Sequence, residues 1–170
     1  METILVSLVS LALIIISSVT MAISTMQSQN KVADSWKQME AQSSNINRTD
    51  IMALPPLSYT GGVIDLTVKN DGQTNLNAFS KWDVIVQYQD SSVSYLTYTA
   101  SYPPADNEWT VKGIYTSGET PEIFDPGVLD PGELMIVSVM LNPAVGSGET
   151  CWITISTPNG VKSQTQVTSE

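Results

Sequence analysis

The N-terminal part of the chain carries two successive apolar patterns, and both predict helix. The run ILVSLVSLALIIISSVTMAI fills residues 4–23 without a charge, Pro or Gly. Further along, apolar residues recur at three- and four-residue spacings on one helical face. They are Met26, Val32, Ala33, Trp36 and Met39. The sequence therefore predicts one continuous helix from about Glu2 to about Ser43, roughly 60 Å long at about 1.5 Å per residue.

The apolar run has the length of a membrane span, because a bilayer core of about 30 Å needs roughly 20 apolar residues as a helix. A secretory signal peptide is the competing interpretation, and it requires a basic n-region and a shorter apolar core. The first basic residue here is Lys31. We therefore expect the segment to be retained. The missing basic flank indicates either a leader that has been removed or a sequence that lacks it.

The apolar run also has two sides. A stripe of small hydroxylated residues falls within about a third of the helix circumference, at Ser7, Ser10, Ser17 and Ser18. Larger apolar residues fill the opposite side, at Leu5, Leu8, Val9, Ala12, Ile15, Ile16, Val19 and Ile23. Small residues let helix backbones approach closely in apolar surroundings. The alternative is a single-pass anchor whose serines bond to their own helix, but the amphipathic outer turns favour a bundle of identical helices.

The rest of the chain reads as short β-strands. Apolar, β-branched and aromatic residues alternate with polar ones, as in Trp82, Val84 and Val86 against Asp83 and Gln87. Gly, Pro, Asn and Asp clusters separate the segments and mark turns. The predicted strands are 49–54, 62–69, 81–89, 92–100, 108–115, 134–141, 151–157 and 161–167. The sequence predicts an α+β protein with a helix in residues 1–45 and an immunoglobulin-like β-sandwich head in residues 46–170.

The charge is strongly acidic. The chain has 17 acidic and 7 basic residues, and 13 of the acidic but only 4 of the basic residues lie from Ile51 onward. Nucleic-acid partners are disfavoured, because they require basic patches. The single cysteine, Cys151, excludes an internal disulfide and is expected in the core.

Residues for catalysis and metal binding are scarce. The chain has no His, and one thiol cannot build a zinc or iron–sulfur site. No phosphate-binding P-loop is present. A paired-carboxylate hydrolase is disfavoured, and the acidic stretch 119–133 is interpreted as a solvated loop with two turns rather than a calcium site. We expect no enzyme activity, cofactor or metal. Asn47-Arg48-Thr49 is a possible N-glycosylation sequon.

The order of these elements resembles a known family. A hydrophobic helix that runs on as an amphipathic stalk into one β-sandwich is similar to the archaellins and archaeal type IV pilins. The head adds three short similarities: VIDLTVKNDGQTNL, KWDVIVQYQD and LDPGELMIVSVML. The last resembles a Leu-x-Pro-Gly-acidic turn carried by Leu129, Pro131, Gly132 and Glu133. Bacterial type IV pilins place a Glu at the fifth mature position, whereas the early acid here is Glu2, which favours the archaeal lineage.

The resemblance implies an assembly pathway. A leader peptidase removes a basic leader, the subunit waits in the cytoplasmic membrane, and a platform protein and a cytoplasmic ATPase extract it into an extracellular helical filament of identical subunits. The expected assembly helix comprises Met1, Glu2, the large apolar residues listed above and Trp36. Glu2 is expected to pair with the α-amino group of Met1 or of a neighbouring subunit. Alternatively, it simply favours the positive end of the helix dipole.

Three functions compete at this point. The leading hypothesis is an archaellin, the structural subunit of a swimming filament. An adhesive pilin of the same architecture is the second. The third is a single-pass, stator-like protein whose sandwich binds a partner at the envelope. The sequence does not separate motility from adhesion.

Overall fold

The structure is a computed structural model that describes residues 2–60 and 62–169. The chain divides into two compact units, one ending at Ser43 and the other beginning at Ser44. Met1, which the sequence predicts as part of the assembly helix, lies outside the described residues.

Helix α1 spans Glu2–Arg48. Its 47 residues correspond to about 70 Å. The predicted helix is confirmed and continues past Ser43, because neither Gly nor Pro interrupts it. It ends where the Thr49 N–H is shared between the carbonyls of Asn45 and Ile46, each at 3.1 Å. The Thr49 hydroxyl also donates to Asn45 O at 2.8 Å. Arg48 in the last turn suits the negative end of the helix dipole.

All eight predicted strands are present. They are β1 Ile51–Thr60, β2 Val63–Asn70, β3 Asp83–Tyr88, β4 Val93–Tyr98, β5 Glu108–Tyr115, β6 Leu134–Met140, β7 Thr150–Ser156 and β8 Lys162–Thr168. The first is longer than expected, because it continues through Pro55 and Pro56. Its pairing with β2 shifts register on both sides of Pro56. Proline has no N–H to donate, so it is accommodated in strands at edges and bulges.

The strands form a β-sandwich. Strands β1-β2-β6-β5 pair antiparallel in one sheet, and β4-β3-β7-β8 pair antiparallel in the other. At one side, a short parallel pairing joins Thr97 and Tyr98 of β4 to Glu108 and Trp109 of β5. At the other side, the Ala53 N–H of β1 donates to the Ser163 hydroxyl of β8 at 2.9 Å. The α+β fold predicted from the sequence is therefore confirmed.

Alternation along the strands produces the core between the two sheets. In β3, Val84 and Val86 are buried while Asp83 and Gln87 are exposed, as predicted. The central strands β2 and β6 bury Leu66 and Val137 completely. Burying an aliphatic side chain of this size stabilises a fold by about 1.5–3 kcal/mol. The sandwich therefore has a continuous apolar core of its own.

A buried asparagine organises one end of the sandwich. Asn70, at the end of β2, is 0% exposed, and its Nδ2 donates to Thr74 O at 2.8 Å and to Leu129 O at 2.9 Å. Its Oδ1 accepts from the Gly72 N–H at 3.1 Å. The turn that Asn70 shapes then receives the end of α1, since the Gln73 N–H donates to Arg48 O at 2.7 Å.

Gly72 is required in this turn by close packing. A Cβ atom added there would lie 2.5 Å from the Asp50 backbone nitrogen and 2.7 Å from Arg48 O. Both neighbours are backbone atoms, so neither could rotate away. The sequence predicts a turn at Asn70-Asp71-Gly72. In the structure this turn also packs against the backbone of Arg48 and Asp50, where the chain leaves the helix.

Cys151 lies in the core, as expected. It is 0% exposed on β7, and burial raises the pKa of its thiol to about 11. We predict that a water-soluble disulfide reagent leaves the native protein unmodified at pH 8 and labels one thiol per chain in denaturant. The reason is that the reactive thiolate is both scarce and shielded. Absorbance of the released thiol measures this, and rapid labelling of the native protein would contradict it.

Candidate assembly surface

The apolar side of α1 has no cover in the isolated chain. No described residue of the helix is buried. Seven large apolar residues on the predicted assembly side are between 48 and 67% exposed, namely Leu5, Leu8, Val9, Ile15, Ile16, Val19 and Ile23. Ala12 is exposed as well. An 18-residue window of the helix reaches a mean hydropathy of 2.5, which satisfies the length and composition of a membrane span. A surface this apolar requires lipid or protein around it.

The serine stripe presents small side chains, and most of their hydroxyls already form hydrogen bonds within the helix. Three of the four hydroxyls donate to carbonyls of their own helix: Ser7 to Ile4 O at 2.9 Å, Ser10 to Val6 O at 2.9 Å and Ser18 to Ile14 O at 2.8 Å. Among the described residues, the Ser17 hydroxyl has no partner. Hydroxyls bonded within their helix are not exposed as unpaired donors to an apolar environment. The stripe is therefore a surface of low relief on which a second helix can pack closely.

The outer turns carry a second apolar surface. Trp36 is 72% exposed. It stands at the end of a shallow concave surface lined also by Thr25, Ser28, Gln29, Val32 and Ala33. The large indole forms a ridge beside a groove of smaller residues on the same helix. Helices pack by fitting the ridges of one into the grooves of another.

Trp36 provides a spectroscopic prediction. Of the four tryptophans, Trp82 and Trp109 are buried in the head and Trp152 is half-buried, whereas Trp36 is exposed. We predict that iodide quenches Trp36 fluorescence in detergent-solubilised subunits and that assembly abolishes this component. A Trp36→Phe variant is the control that identifies the signal. Equal quenching before and after assembly would contradict the packing of the outer turns.

Two further predicted site residues have defined positions. Glu2 is exposed in the first turn of α1. Its expected partner Met1 is outside the described part of the chain, so the pairing remains a prediction. Asn47 is exposed in the last helical turn, but Thr49 of its sequon is buried. The Thr49 hydroxyl contacts Thr74 Oγ1 at 3.0 Å and accepts from Asn159 Nδ2 at 2.8 Å. Glycosylation of Asn47 also remains a prediction.

The head has an exposed apolar pair that the sequence analysis did not single out. Ile123 and Phe124 are 77 and 91% exposed in the connection between β5 and β6. They lie inside the acidic stretch 119–133, between Glu122 and Asp125. The signal for them is an Ile-Phe pair between two prolines, in a loop with no strand pattern to bury it.

Hydrogen bonds define the conformation of this loop. The Glu122 N–H donates to Ile114 O at 2.9 Å, which ties the loop to β5. The Glu122 carboxylate accepts from the Phe124 N–H at 2.7 Å, and this bond lowers the pKa of Glu122. Burial raises the pKa of nearby Glu133, whose Oε2 accepts from the Asp130 N–H at 2.8 Å. Across the described residues, no three carboxylate or thiol groups gather where a metal could bind.

The outer face of the β1-β2-β6-β5 sheet bears an apolar groove beside this loop. Its volume is about 300 Å³, and it is lined by Leu57, Thr67, Tyr115, Glu119, Leu134 and Ile136. Two lysines share the face. Lys69 is the register partner of Leu134. The Lys112 ammonium lies 2.7 Å from Asp65 Oδ2, and this hydrogen bond raises the pKa of Lys112.

Known structures share this fold. The archaellum periplasmic stator protein FlaG of Sulfolobus acidocaldarius is 18% identical over 70% of this chain and 99% of its own, with a TM-score of 0.54. Archaeal flagellin FlaB1 of Methanocaldococcus jannaschii is 13% identical over 71% of this chain and 90% of its own, with a TM-score of 0.53. The archaeal flagellum of Methanospirillum hungatei strain JF1 is 15% identical, with a TM-score of 0.53, over 95% of this chain and 91% of that chain.

The extents of these matches differ. The unit that begins at Ser44 makes up about three quarters of the chain. Matches over 70 and 71% fit within a unit of that size, whereas a match over 95% must also include much of α1. No family model matches the chain, and no curated protein matches it. The resemblance to archaellins is thus confirmed at the level of the fold.

Proposed function

We propose that this chain is an archaellin, a structural subunit that polymerises through α1 into an extracellular filament. The observation that carries the proposal is the 47-residue helix without one buried residue. It is about twice as long as a bilayer core requires. A plain anchor has no use for the outer half, whereas a bundle of identical helices uses the whole length.

The energetics of the helix favour transfer from membrane to bundle over release into water. Each large apolar side chain between Ile4 and Ile23 would cost about 1.5–3 kcal/mol on exposure to water. Movement from lipid into a helix bundle avoids that cost, since lipid tails are as apolar as leucine. The net gain must come from close packing, for which the serine stripe is suited. The subunit therefore resides in the cytoplasmic membrane before assembly, and identical subunits are its principal partners.

The comparisons support an archaellum component in general. All three structures described above are archaellum proteins, and the filament match is the one that extends into α1. Extraction by a platform protein and an assembly ATPase follows from the family resemblance. An open helical polymer requires heterologous contacts, in which different patches of each subunit meet. The acidic heads would coat the outside of the filament, and the chain would need no catalytic activity, cofactor or metal.

A stator-like role is the alternative favoured by a specific observation. The FlaG match covers 99% of that protein's chain, and a second matched structure is a periplasmic stator complex of FlaF and FlaG. Such a protein would use α1 as an anchor and the head to bind an envelope partner. An adhesive pilin remains the third possibility, because a filament subunit's fold does not reveal whether its filament rotates.

Surface fibres provide the test. We expect fibres sheared from cells to contain this chain as their main component by mass spectrometry, with the residues of α1 present. Deleting the gene should remove the fibres and abolish swimming while adhesion persists. Loss of adhesion with intact swimming would assign a pilin. If the deletion strain still made fibres, and the chain were recovered from the parent strain only as small membrane-bound oligomers, the stator-like role would be assigned.

A further inference from the structure

A polar pocket of about 240 Å³ lies in the head, where the end of α1 meets the turns of the sandwich. We propose that this pocket binds a neutral sugar residue. Its lining comes from the last turn of α1, the connection 74–78, the residues just before β3 and the turn 157–159. All of them belong to the unit that begins at Ser44. The pocket is therefore complete in one chain, and the inference does not depend on filament assembly.

The buried part of the pocket is ordered by hydrogen bonds between its own side chains. The Thr49 hydroxyl contacts Thr74 Oγ1 at 3.0 Å and accepts from Asn159 Nδ2 at 2.8 Å. The Thr157 hydroxyl donates to Asn159 Oδ1. Thr49 and Thr157 are both buried. Because the protein itself satisfies these groups, a ligand pays little conformational entropy to order them.

Four other lining side chains have unused capacity for hydrogen bonding. The carboxamides of Asn45, Asn75 and Asn77 are exposed and bond to no residue that the structure describes. The Lys81 ammonium likewise forms no ion pair within the described part of the chain. Each carboxamide offers both donors and an acceptor, and the ammonium offers three donors. Several such groups around one cavity match a ligand that carries several hydroxyls.

Charge narrows the class of ligand. None of the described lining residues is a carboxylate, so a cation would find no counter-charge there and would meet Lys81. An anion is disfavoured by the head, which has 13 acidic and 4 basic residues from Ile51 onward, and by the negative end of α1. An apolar ligand would desolvate the carboxamides without bonding to them. A neutral ligand rich in hydroxyls meets none of these objections.

The pocket also has apolar surface for the C–H side of a sugar ring. Leu76, Trp82 and Pro158 supply it. The Trp82 indole N–H donates to Asn77 O at 3.2 Å, which holds the connection 74–78 in place. Ala78 in this connection has a φ of +52°, in the left-handed region that is unfavourable for a residue with a Cβ. Strained backbone of this kind clusters at ligand-binding sites.

The size of the pocket fits a small ligand. Pockets for drug-sized molecules have volumes of roughly 300–1,000 Å³ and mostly apolar walls. This pocket is smaller, and most of its lining residues are Asn or Thr. A single sugar ring combines a small volume with a ring of hydroxyls, which is the combination that these walls favour.

Chemical-shift titration of the isotope-labelled full-length chain tests the inference, in a detergent without a sugar headgroup. The probes are glucose, galactose, mannose and N-acetylglucosamine. We expect at least one of them to shift the side-chain amide signals of Asn45, Asn75 and Asn77 in a saturable way. Asn75→Ala and Asn77→Ala should each weaken that binding about tenfold, as expected for the loss of hydrogen bonds to the ligand. Asn30→Ala, at an exposed site on α1, is the matched control and should leave the affinity unchanged.

Three results would overturn the inference. The first is that none of the four sugars shifts the pocket signals. The second is sugar binding that Asn75→Ala and Asn77→Ala leave unchanged, since the site would then lie elsewhere. The third is saturation by glucuronate or inorganic phosphate, but by no neutral sugar, with binding lost in Lys81→Gln. That result would assign an anion site. A chain that binds sugar but forms no fibres would contradict the proposed function and leave this inference standing.

Discussion

Replacing both Ser10 and Ser17 with leucine is expected to abolish filament assembly while leaving membrane insertion intact. The two residues lie seven positions apart and therefore on nearly the same line of the helix. Leucine inserts into bilayers more favourably than serine, so an anchor would be unaffected or improved. Close approach of helix backbones, however, requires small residues along the contact line. The substitution thus separates packing from anchoring.

Alanine at the same two positions is the matched control. Ser10→Ala,Ser17→Ala keeps the stripe small and removes little else, because the Ser10 hydroxyl bonds only to Val6 of its own helix and the Ser17 hydroxyl has no described partner. We expect the alanine variant to assemble as the parent chain does. Membrane fractionation measures insertion, and electron microscopy measures filament number and length. Normal filaments from the leucine variant would show that the serine stripe is not a packing surface.

Replacing Asn70 with alanine is expected to destabilise the head by about 3 kcal/mol. The side chain is fully buried and makes three hydrogen bonds, to Thr74 O, Leu129 O and the Gly72 N–H. Each buried group left without a partner costs about 1–3 kcal/mol, and relaxation of the turn offsets part of the sum. For a domain of this size, the melting temperature should fall by roughly 10 °C.

Asn75→Ala is the control for this measurement. Asn75 lies in the same connection but is exposed, so its replacement should change the free energy of unfolding by less than about 0.5 kcal/mol. Thermal unfolding followed by near-UV circular dichroism reports on the head, where the buried tryptophans lie. If Asn70→Ala melted within a few degrees of the parent, the network would not hold this end of the sandwich.

The elements that sequence reasoning found are those with a local signal. Helix α1 follows from an apolar run and a helical periodicity without Gly or Pro, and strand β3 from a period of two. The end of the helix at Arg48 was missed, because Thr49 is held by Thr74 and Asn159, which are distant in the chain. The role of Asn70 was missed for the same reason.

The candidate surfaces differ in the same way: some follow from local sequence spacing, and others depend on contacts between residues distant in the chain. The apolar and serine sides of α1 can be read from helical geometry alone, since neighbours on a helix are fixed by spacing. The groove lined by Leu57 depends on β1, β2, β5 and β6 lying side by side in a particular register. The order of the strands along the chain does not reveal which strands become neighbours. The exposure of Phe124 depends on the hydrogen bonds of Glu122. Such features require the assembled sheet.

Removal of detergent from the purified full-length chain tests the central claim most directly, namely that α1 joins identical subunits. Mass spectrometry first establishes that residues 4–23 are intact, and negative-stain electron microscopy with sedimentation then follows the products. The account predicts long fibres of uniform width in which Trp36 is protected from iodide. Discrete, monodisperse particles that retain the whole helix would contradict it and favour the membrane-anchored, partner-binding alternative.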